Sequence, residues 1–399
     1  MTDTSVLWLT RWAPYPPLHG GDMIYSRDLL ESLANTTPVH ALAVRRDGIS
    51  PPQRAGLTWS FVDASPPHRA LSLLSHLPNV AFRHNARAYL EAAVSLARQS
   101  RAVVVDFLGL FDVGLKLIAR LDAEMGHARP PVILLQHNHE YAVRSQMTAG
   151  ERALALKAAL ALDTAKARRL EYAALRACDG VIACTPADAE VFARIAPRTP
   201  SVVAMPPYRG ESAPPRMIGP DTPRRILLLG SHEAHHKRMV LLHTLEALQQ
   251  AGLQNSATID VVGPGEKDSL EARFSGFNFM GYVDDLDAYL ATVRLGLIPD
   301  EIGGGFKLRA LTHAFRRVPM LAVESALNGM GFKADRDYVA AKNVVEAARI
   351  APAVLDDFDR LNAVQASAFD TCTAAFDWAS RGRDIAAFLD TRVGRRGLG

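Results

Sequence analysis

The sequence predicts an α/β protein with two parallel sheets, each covered by helices. Short apolar runs alternate with helical stretches, and this alternation stops in a proline-rich segment and then restarts. A chain of 399 residues is also too long for one hydrophobic core. Alternating strands and helices imply parallel strands joined by right-handed crossovers. The sequence therefore predicts two Rossmann-like domains, each binding ligands where its strands end.

The elements of the first half follow from apolar runs and helix signals. The runs typical of buried strands lie at residues 6–9, 39–44, 103–105, 132–135 and 180–184. A loop and a helix are expected over residues 20–33, and Ala, Leu and Arg favour a helix over residues 149–177. Thr185 followed by Pro186 is typical of a helix start, because Thr caps the first turn and Pro fits its first position.

The second half repeats this pattern. Strands are expected at residues 225–230, 259–262, 279–283, 293–299 and 319–323, and helices at 239–251, 286–292 and 307–316. Eight prolines between residues 196 and 224 indicate an interdomain linker. We therefore expect a first domain over residues 1–200, a linker over 201–222, a second domain over 223–375 and a C-terminal helix over 376–399.

Composition narrows the class of protein. Hydrophobic residues make up 48% and charged residues 22%, as in ordinary globular proteins. The three cysteines have no CxxC spacing, which argues against a disulfide framework or a zinc site and favours a reducing compartment. The net charge of +3 is too small to indicate nucleic acid binding. The first residues are expected to form a strand rather than a signal peptide, and no apolar run approaches the roughly 20 residues of a membrane span. The sequence predicts a cytoplasmic protein.

One region of the first half is strongly basic. Residues 66–101 contain five arginines and three histidines but a single acid, Glu91. Leucines and aromatic residues are interleaved with them. Such a surface can rest on anionic lipid, here the inner face of the cytoplasmic membrane. The alternative is a solvated helical face that covers the core of its own domain.

The segment 298–309, with the sequence IPDEIGGGFKLR, is the most informative of the chain. An apolar run leads into Asp300 and Glu301, three glycines follow, and Lys307 and Arg309 stand at an expected helix start. Glycines let the backbone approach a ligand closely, and free N–H groups with two cations suit an anion such as phosphate. The alternative is an ordinary strand-to-helix turn with surface cations.

The other candidate residues also follow predicted strands, where an open α/β sheet binds its ligands. They are Gly20 and Gly21 after the first strand, the polar run His137, Asn138, His139 and Glu140 after another, Lys237 and Arg238 at the start of the second domain, and Gly263 in a further turn. The polar run suits sugar hydroxyls or proton transfer, and the alternative is that it caps a helix. A metal site is not expected, because no third ligand stands at a familiar spacing.

Taken together, these motifs resemble the GT-B glycosyltransferases, in particular the retaining family 4. The similarity lies in PPLHGGD, QHNHE, VVGPGE and, above all, GGGFKLRALTHAFRRVPMLA, and it runs over almost the whole chain. The resemblance implies two Rossmann-like domains facing across a cleft, with a C-terminal helix that crosses back to the first domain. It also implies a hexosyltransferase that moves a sugar with retention from a UDP- or GDP-sugar to a glycan, lipid-linked or protein acceptor. Surface polysaccharide or glycoconjugate synthesis is the expected pathway.

The resemblance assigns roles by position and implies neither a metal nor a bound cofactor. His137 and Glu301 would be catalytic, and Asn138 and Glu140 would bind the acceptor. Donor binding would fall to Gly20, Gly21, Lys237, Arg238, Gly263, Gly304, Gly305, Lys307, Arg309 and Thr312.

Thr312 is also the main departure from the family pattern. It stands where the family usually has a glutamate that grips the ribose of the nucleotide, and losing that acceptor could cost about 1–3 kcal/mol of donor binding. Two alternatives follow. The chain could be a glycosyltransferase-like binding subunit with weakened catalysis, or a GT-B nucleotide-sugar epimerase.

Overall fold

The computed structural model describes residues 5–16, 20–233, 235–301 and 306–396. The chain divides into two compact units. The first consists of Met1–Pro207, Gly304–Phe306 and Trp378–Gly399, and the second of Tyr208–Gly303 and Lys307–Asp377. Each unit is built around its own parallel sheet. The predicted α/β class with two Rossmann-like domains is confirmed.

The first unit contains a seven-stranded parallel sheet in the order β3-β2-β1-β4-β5-β6-β7. The strands are nearly all apolar because helices cover both faces of the sheet. Its elements are β1 Val6–Trp12, α1 Gly21–Ala34, β2 Val39–Val44, β3 Leu57–Val62, α2 Asn79–His84, α3 Arg87–Ala97, β4 Ala102–Asp106, α4 Phe111–Met125, β5 Val132–Gln136, α5 Glu140–Gly150, α6 Leu154–Ala177, β6 Gly180–Ala183, α7 Pro186–Ile195 and β7 Ser201–Val203.

The second unit contains a six-stranded parallel sheet in the order β10-β9-β8-β11-β12-β13. Its main core lies on one side of this sheet and includes Leu245, Leu248 and Phe274. The elements are β8 Arg225–Leu229, α8 His235–Gln250, β9 Thr258–Val262, α9 Asp268–Arg273, β10 Asn278–Gly281, α10 Leu286–Ala291, β11 Leu295–Ile298, α11 Leu308–Phe315, β12 Met320–Val323, α12 Glu324–Leu327, β13 Val339–Ala341, α13 Val344–Asp356 and α14 Phe358–Ala375.

The last helix, α15 (Trp378–Arg396), belongs to the first unit, as the fold class predicts. Ile385 and Leu389 join the cluster of buried residues around α1. The Ser32 hydroxyl donates a hydrogen bond to the Trp378 carbonyl at 2.6 Å. A Cβ atom at Gly382 would lie only 2.0 Å from the carbonyl oxygen of Ser32, so the close approach of the two helices requires glycine there.

Two expectations about element bounds are wrong. Ser201–Val203, placed in the linker 201–222, form strand β7 of the first sheet, because their backbone pairs with β6. The single helix expected over residues 149–177 is in fact two helices that break at residues 151–153. The first of them, α5, starts at Glu140, four residues after β5 ends at Gln136, and the second, α6, starts at Leu154.

The three cysteines are free and buried, Cys178 and Cys184 in the first unit and Cys372 in the second. Burial raises the pKa of each thiol well above its ordinary value. Among the described residues, no helix is both long enough and apolar enough to cross a membrane.

Candidate functional site

The first unit has a pocket at the point where its strand order reverses, between β1 and β4. Ligands of open α/β sheets bind at this position, beyond the carboxyl ends of the strands. The pocket is lined mainly by Arg11 and Trp12 at the end of β1, Asp22 and Ser26 from α1, Asp106 at the end of β4, and His137 just after β5.

His137 and Asp106 are brought together by the register of β4 and β5. Asp106 pairs with Leu135, and His137 lies two residues further on, on the same side of the pleat. The imidazole Nε2 lies 2.7 Å from Asp106 Oδ1 and 3.5 Å from the Ser26 hydroxyl. Burial alone lowers the pKa of His137, but the hydrogen bond and the negative charge of Asp106 outweigh it and raise the pKa above 6.5.

Arg11 forms the cationic side of this pocket. Its guanidinium pairs with Asp22 and lies over the rings of Trp12 and Phe107, at 4.9 and 4.5 Å from the ring centres. Phe107 has a φ of 82°, a strained value for a residue other than glycine. Such strain is concentrated at functional sites, where the surrounding structure holds it.

Two acids, the buried Glu171 and the partly buried Asp188, hold the polar run after β5 by its backbone. The carboxylate of Glu171 accepts hydrogen bonds from the N–H groups of Glu140 and Tyr141, both at 3.0 Å, and so caps α5. Asp188 accepts from the N–H of His139 at 3.1 Å. Burial raises the pKa of Glu171 to about 8. These contacts fix the backbone that presents His137.

The predicted acceptor residues lie beside the first pocket rather than on it. Glu140 pairs with Arg144 at 3.1 Å, and neither Glu140 nor Asn138 lines the pocket. Within the part of the chain that the structure describes, Asn138 Oδ1 is buried without a hydrogen-bond partner. Gly20 caps α1 and Gly21 begins it, so the two glycines bring Asp22 and its helix to the pocket.

The second unit has its pocket at the equivalent place, between β8 and β11, where its strand order reverses. The lining includes Leu229 at the end of β8, Pro299 and Asp300 after β11, His232, Lys237 from the first turn of α8, and Arg309 from the first turn of α11. Lys237 and Arg309, far apart in sequence, therefore line the same pocket.

The charges of this pocket interact strongly. Arg309 pairs with Asp300 and donates to the Leu229 carbonyl at 2.9 Å. The pKa of Lys307, the N-cap residue of α11, lies below its ordinary value. Burial is the main cause, and the charges of Arg309 and Lys237 add to it, whereas Asp300 acts in the opposite direction. Burial, Arg309 and Lys237 also lower the pKa of His232 to about 4. Lys237, Arg309 and the carboxylate of Asp300 line the pocket, and the charge of Lys307 interacts with all three, so positive charge is in excess around the pocket.

Two predicted donor residues have other roles in the structure. Gly263 has a φ of 128°, and a Cβ atom there would lie 2.1 Å from the carbonyl oxygen of Gly230. Gly263 therefore allows the loops after β8 and β9 to touch. Arg238, next to Lys237, does not line the pocket and forms an exposed ion pair with Glu266.

Glu301 caps a helix. Its Oε1 accepts a hydrogen bond from the N–H of Val344, the first residue of α13, at 2.6 Å, and its Oε2 lies 3.7 Å from His243 Nε2. Its predicted catalytic role stays a prediction. Thr312 is half-buried in α11 and does not line the pocket. Gly304 and Gly305 lie outside the described residues.

The sequence reasoning did not single out Asp106, Arg11 or His232 as site residues. All three stand at or just after the ends of strands, the same signal that identified the other candidates. Across the described ranges, no group of three or more His, Cys, Asp or Glu side chains is placed to hold a metal ion.

Comparisons with known proteins agree with this architecture. Residues 223–356, within the second unit, match the family model described as Glycosyl transferases group 1. A search of curated proteins found no match. Among solved structures, the chain is similar to sucrose-phosphate synthase from Thermosynechococcus elongatus, with a TM-score of 0.74 and 14% identity over 98% of this chain and 99% of that one.

Two further structures show the same likeness. Anabaena HepE in complex with UDP-glucose matches with a TM-score of 0.66 and 13% identity over 98% of this chain and 100% of that one. A glycosyltransferase from Rickettsia africae matches with a TM-score of 0.63 and 10% identity over 98% and 99%. The fold is therefore of the GT-B class. The predicted resemblance to GT-B glycosyltransferases is confirmed, and the second unit carries the Glycosyl transferases group 1 match.

Proposed function

We propose that this protein is a glycosyltransferase whose second unit binds the diphosphate of a nucleotide-sugar donor. The observation that carries the proposal is the convergence of Lys237, Lys307 and Arg309 around the pocket between β8 and β11. Their net positive charge suits a ligand with several phosphate oxygens. The family match of residues 223–356 supports the same ligand.

The cations also suit the chemistry of transfer. When the bond between the sugar C1 and the phosphate oxygen breaks, negative charge develops on the diphosphate, and cations held in place stabilise it most at that moment. In the proposed retaining reaction, the acceptor oxygen bonds to C1 on the same face. The acceptor proton passes to the departing phosphate oxygen, so the reaction needs no separate base. We propose that the cations suffice without a metal ion or cofactor.

The donor and acceptor are proposed from the resemblance and from the comparisons. The Anabaena protein HepE is described in complex with UDP-glucose, which supports a UDP-sugar donor, with GDP-sugar as the alternative. We propose a hexosyl transfer to a glycan, lipid-linked or protein acceptor in surface polysaccharide or glycoconjugate synthesis. The first pocket, with His137 and Asp106, is the proposed site on the acceptor-binding unit.

Calorimetry with UDP, GDP, ADP and TDP tests the proposal, using neighbouring cations as a matched pair. Lys237→Ala removes a pocket charge, whereas Arg238→Ala removes a surface charge one residue away. We expect one nucleotide to bind, Lys237→Ala to weaken it about 10- to 100-fold, and Arg238→Ala to change it less than about twofold. Absence of binding by every nucleotide, or equal effects of both substitutions, would contradict the proposal.

A binding subunit with weakened catalysis is the second candidate, and Thr312 is the residue that favours it. Incubating the protein with the nucleotide-sugar that it binds, and then analysing the products, distinguishes these candidates. Slow release of free sugar indicates a transferase, because transferases commonly pass the sugar to water. Binding without any turnover indicates the subunit, and isomerised donor without an acceptor indicates the epimerase.

A further inference from the structure

The large apolar side chains that the described part of the first unit exposes are concentrated in two segments. One is the 3-10 helix Arg69–Leu74, and the other is the beginning of α6. Leu74 is 91% exposed and Leu154 is 84% exposed, while the others are about half exposed. The set, called the leucine surface below, consists of Leu71, Leu73, Leu74, Leu154, Leu156 and Leu162. Scattered exposed leucines are ordinary, but concentrated ones mark an interaction surface.

The two segments are joined by hydrogen bonds. The Lys166 ammonium donates to the carbonyls of Ser72 at 2.9 Å and Leu73 at 3.2 Å. Asp163 accepts from the N–H of Asn79, just after the 3-10 helix, at 2.6 Å. The 3-10 helix is thus fastened to α6 near Leu162, and the exposed leucines of both segments belong to one region.

This region projects beyond the end of the sheet where the first pocket lies. Glu171 of α6 caps α5 directly after β5, so Glu171 lies near the carboxyl end of that strand. Leu162 precedes Glu171 by nine residues and Leu154 by seventeen, about 14 and 26 Å along a helix. The buried residues of α6 begin only at Thr164. The start of α6 therefore does not cover the core.

The charges around the leucine surface are mostly positive. No acid occurs between Asp63 and Glu91. The exposed basic residues there are His68, Arg69, His76, Arg83 and Arg87, and Arg152 and Lys157 flank Leu154 in the other segment. Glu151 and Asp163 are the acids of that segment, and Asp163 is already paired with Arg144 at 2.8 Å.

We propose that the leucine surface docks the first unit onto an anionic lipid bilayer. Leucine side chains enter the boundary between headgroups and acyl chains, and the surrounding cations meet the lipid phosphates. A second copy of the chain is a poorer occupant, because a symmetric pairing would bring each basic rim against itself. The surface overlaps the one expected over residues 66–101, but it also includes the start of α6 and excludes the face of α3 that packs Tyr89, Ala93 and Val94 into the core.

Cosedimentation of the full chain with phospholipid vesicles tests the proposal. We expect binding to vesicles containing about 30 mol% phosphatidylglycerol, weaker binding to phosphatidylcholine alone, and loss of binding between about 0.1 and 1 M salt. The double substitution Leu74→Glu and Leu154→Glu should weaken binding at least about tenfold, because it places two negative charges in the apolar centre. Met217→Glu, at an 80% exposed methionine of the second unit, is the matched control and should bind as the wild type does.

Thermal melts check that each variant is folded, and exposed positions are expected to tolerate glutamate. Failure of the wild type to bind anionic vesicles would overturn the proposal, and so would unchanged binding by the double variant. Sedimentation velocity tests whether a second copy of the chain, rather than a bilayer, binds the leucine surface. A dimer that the double variant abolishes would assign the leucine surface to a second copy of the chain and also overturn the proposal.

Discussion

The imidazole of His137 donates a hydrogen bond to the carboxylate of Asp106, with 2.7 Å between Nε2 and Oδ1. The pair joins the ends of neighbouring strands β4 and β5, 31 residues apart in sequence. The other oxygen of Asp106 lies 3.4 Å from the indole nitrogen of Trp8. Burial lowers the pKa of His137, but the hydrogen bond to Asp106 and the charge of that carboxylate raise it, so that the pKa lies above its ordinary value. The pair favours a charged imidazolium at the first pocket.

Asp106→Asn should lower the pKa of His137, because the substitution removes the charge while keeping the shape. NMR titration of the His137 ring protons measures this shift directly. If His137 is catalytic, the pH profile of turnover should move in the same direction. Ser26→Ala is the control, since its hydroxyl lies 3.5 Å from Nε2 and carries no charge. An unchanged pKa in Asp106→Asn would contradict the assigned role of the carboxylate.

The same pair predicts a pH dependence of stability. The folded pKa of His137 lies above its unfolded value of 6.5, so the stabilisation is fully present below that value. It is lost as the pH rises through the folded pKa. Urea unfolding of the wild type and Asp106→Asn should therefore differ more at about pH 5.5 than at about pH 8.5. A difference that grows with pH would contradict this assignment.

Gly263→Ala should destabilise the second unit by about 2–3 kcal/mol or more. The new Cβ would meet the Gly230 carbonyl, and the positive φ is unfavourable for alanine. Gly219→Ala is the matched control in the same unit, because no atom lies within 4 Å of the new Cβ, and it should change stability by less than about 0.5 kcal/mol. Equal melting temperatures of the two variants would show that the loops after β8 and β9 separate readily.

Glu301 offers a test between a structural and a catalytic role. Glu301→Ala should lower the free energy of unfolding by about 1 kcal/mol, since the N–H of Val344 loses its acceptor. Glu301→Gln retains an oxygen acceptor and should restore most of that stability. We expect Glu301→Gln to keep its turnover, whereas loss of a general acid or base costs about 100- to 10,000-fold. A loss of that size in a stable variant would establish the catalytic role.

Thr312→Glu restores the acid that the family pattern contains. If the nucleotide ribose lies against α11, the new carboxylate should tighten nucleotide binding by about 1–3 kcal/mol, or roughly 5- to 150-fold. Thr312→Val keeps the size of threonine without its hydroxyl and serves as the control. Calorimetry measures the affinity of all three proteins for the nucleotide that binds the wild type most tightly. Equal affinities of all three proteins would place the ribose elsewhere.

The main strands could be predicted because buried parallel strands are continuous apolar runs. Three strands were not predicted: β3, β7 and β13. Most residues of β3 are only half-buried, so β3 is not a continuous buried run, while β7 and β13 contain only three residues each, too few to show a period. Their pairing depends on neighbouring strands rather than on their own composition.

The positions of the candidate residues could also be predicted, since they follow strands, but their partners could not. Asp106 meets His137 only because β4 and β5 are neighbours in the sheet. Glu301 meets a helix that begins 43 residues later. Lys237 and Arg238 are adjacent in sequence and alike in charge, yet the turn of the helix places one in the pocket and the other on the surface. Such distinctions arise from tertiary packing.

The buried thiols have a practical consequence. Cys178 and Cys184 lie in one unit and Cys372 in the other, and the raised pKa of each keeps it as an unreactive thiol in the folded chain. A maleimide therefore reacts only when a unit opens. Mass spectrometry of the labelled peptides would therefore measure the opening rate of each unit separately. The native cysteines serve as probes of unfolding, so none has to be engineered.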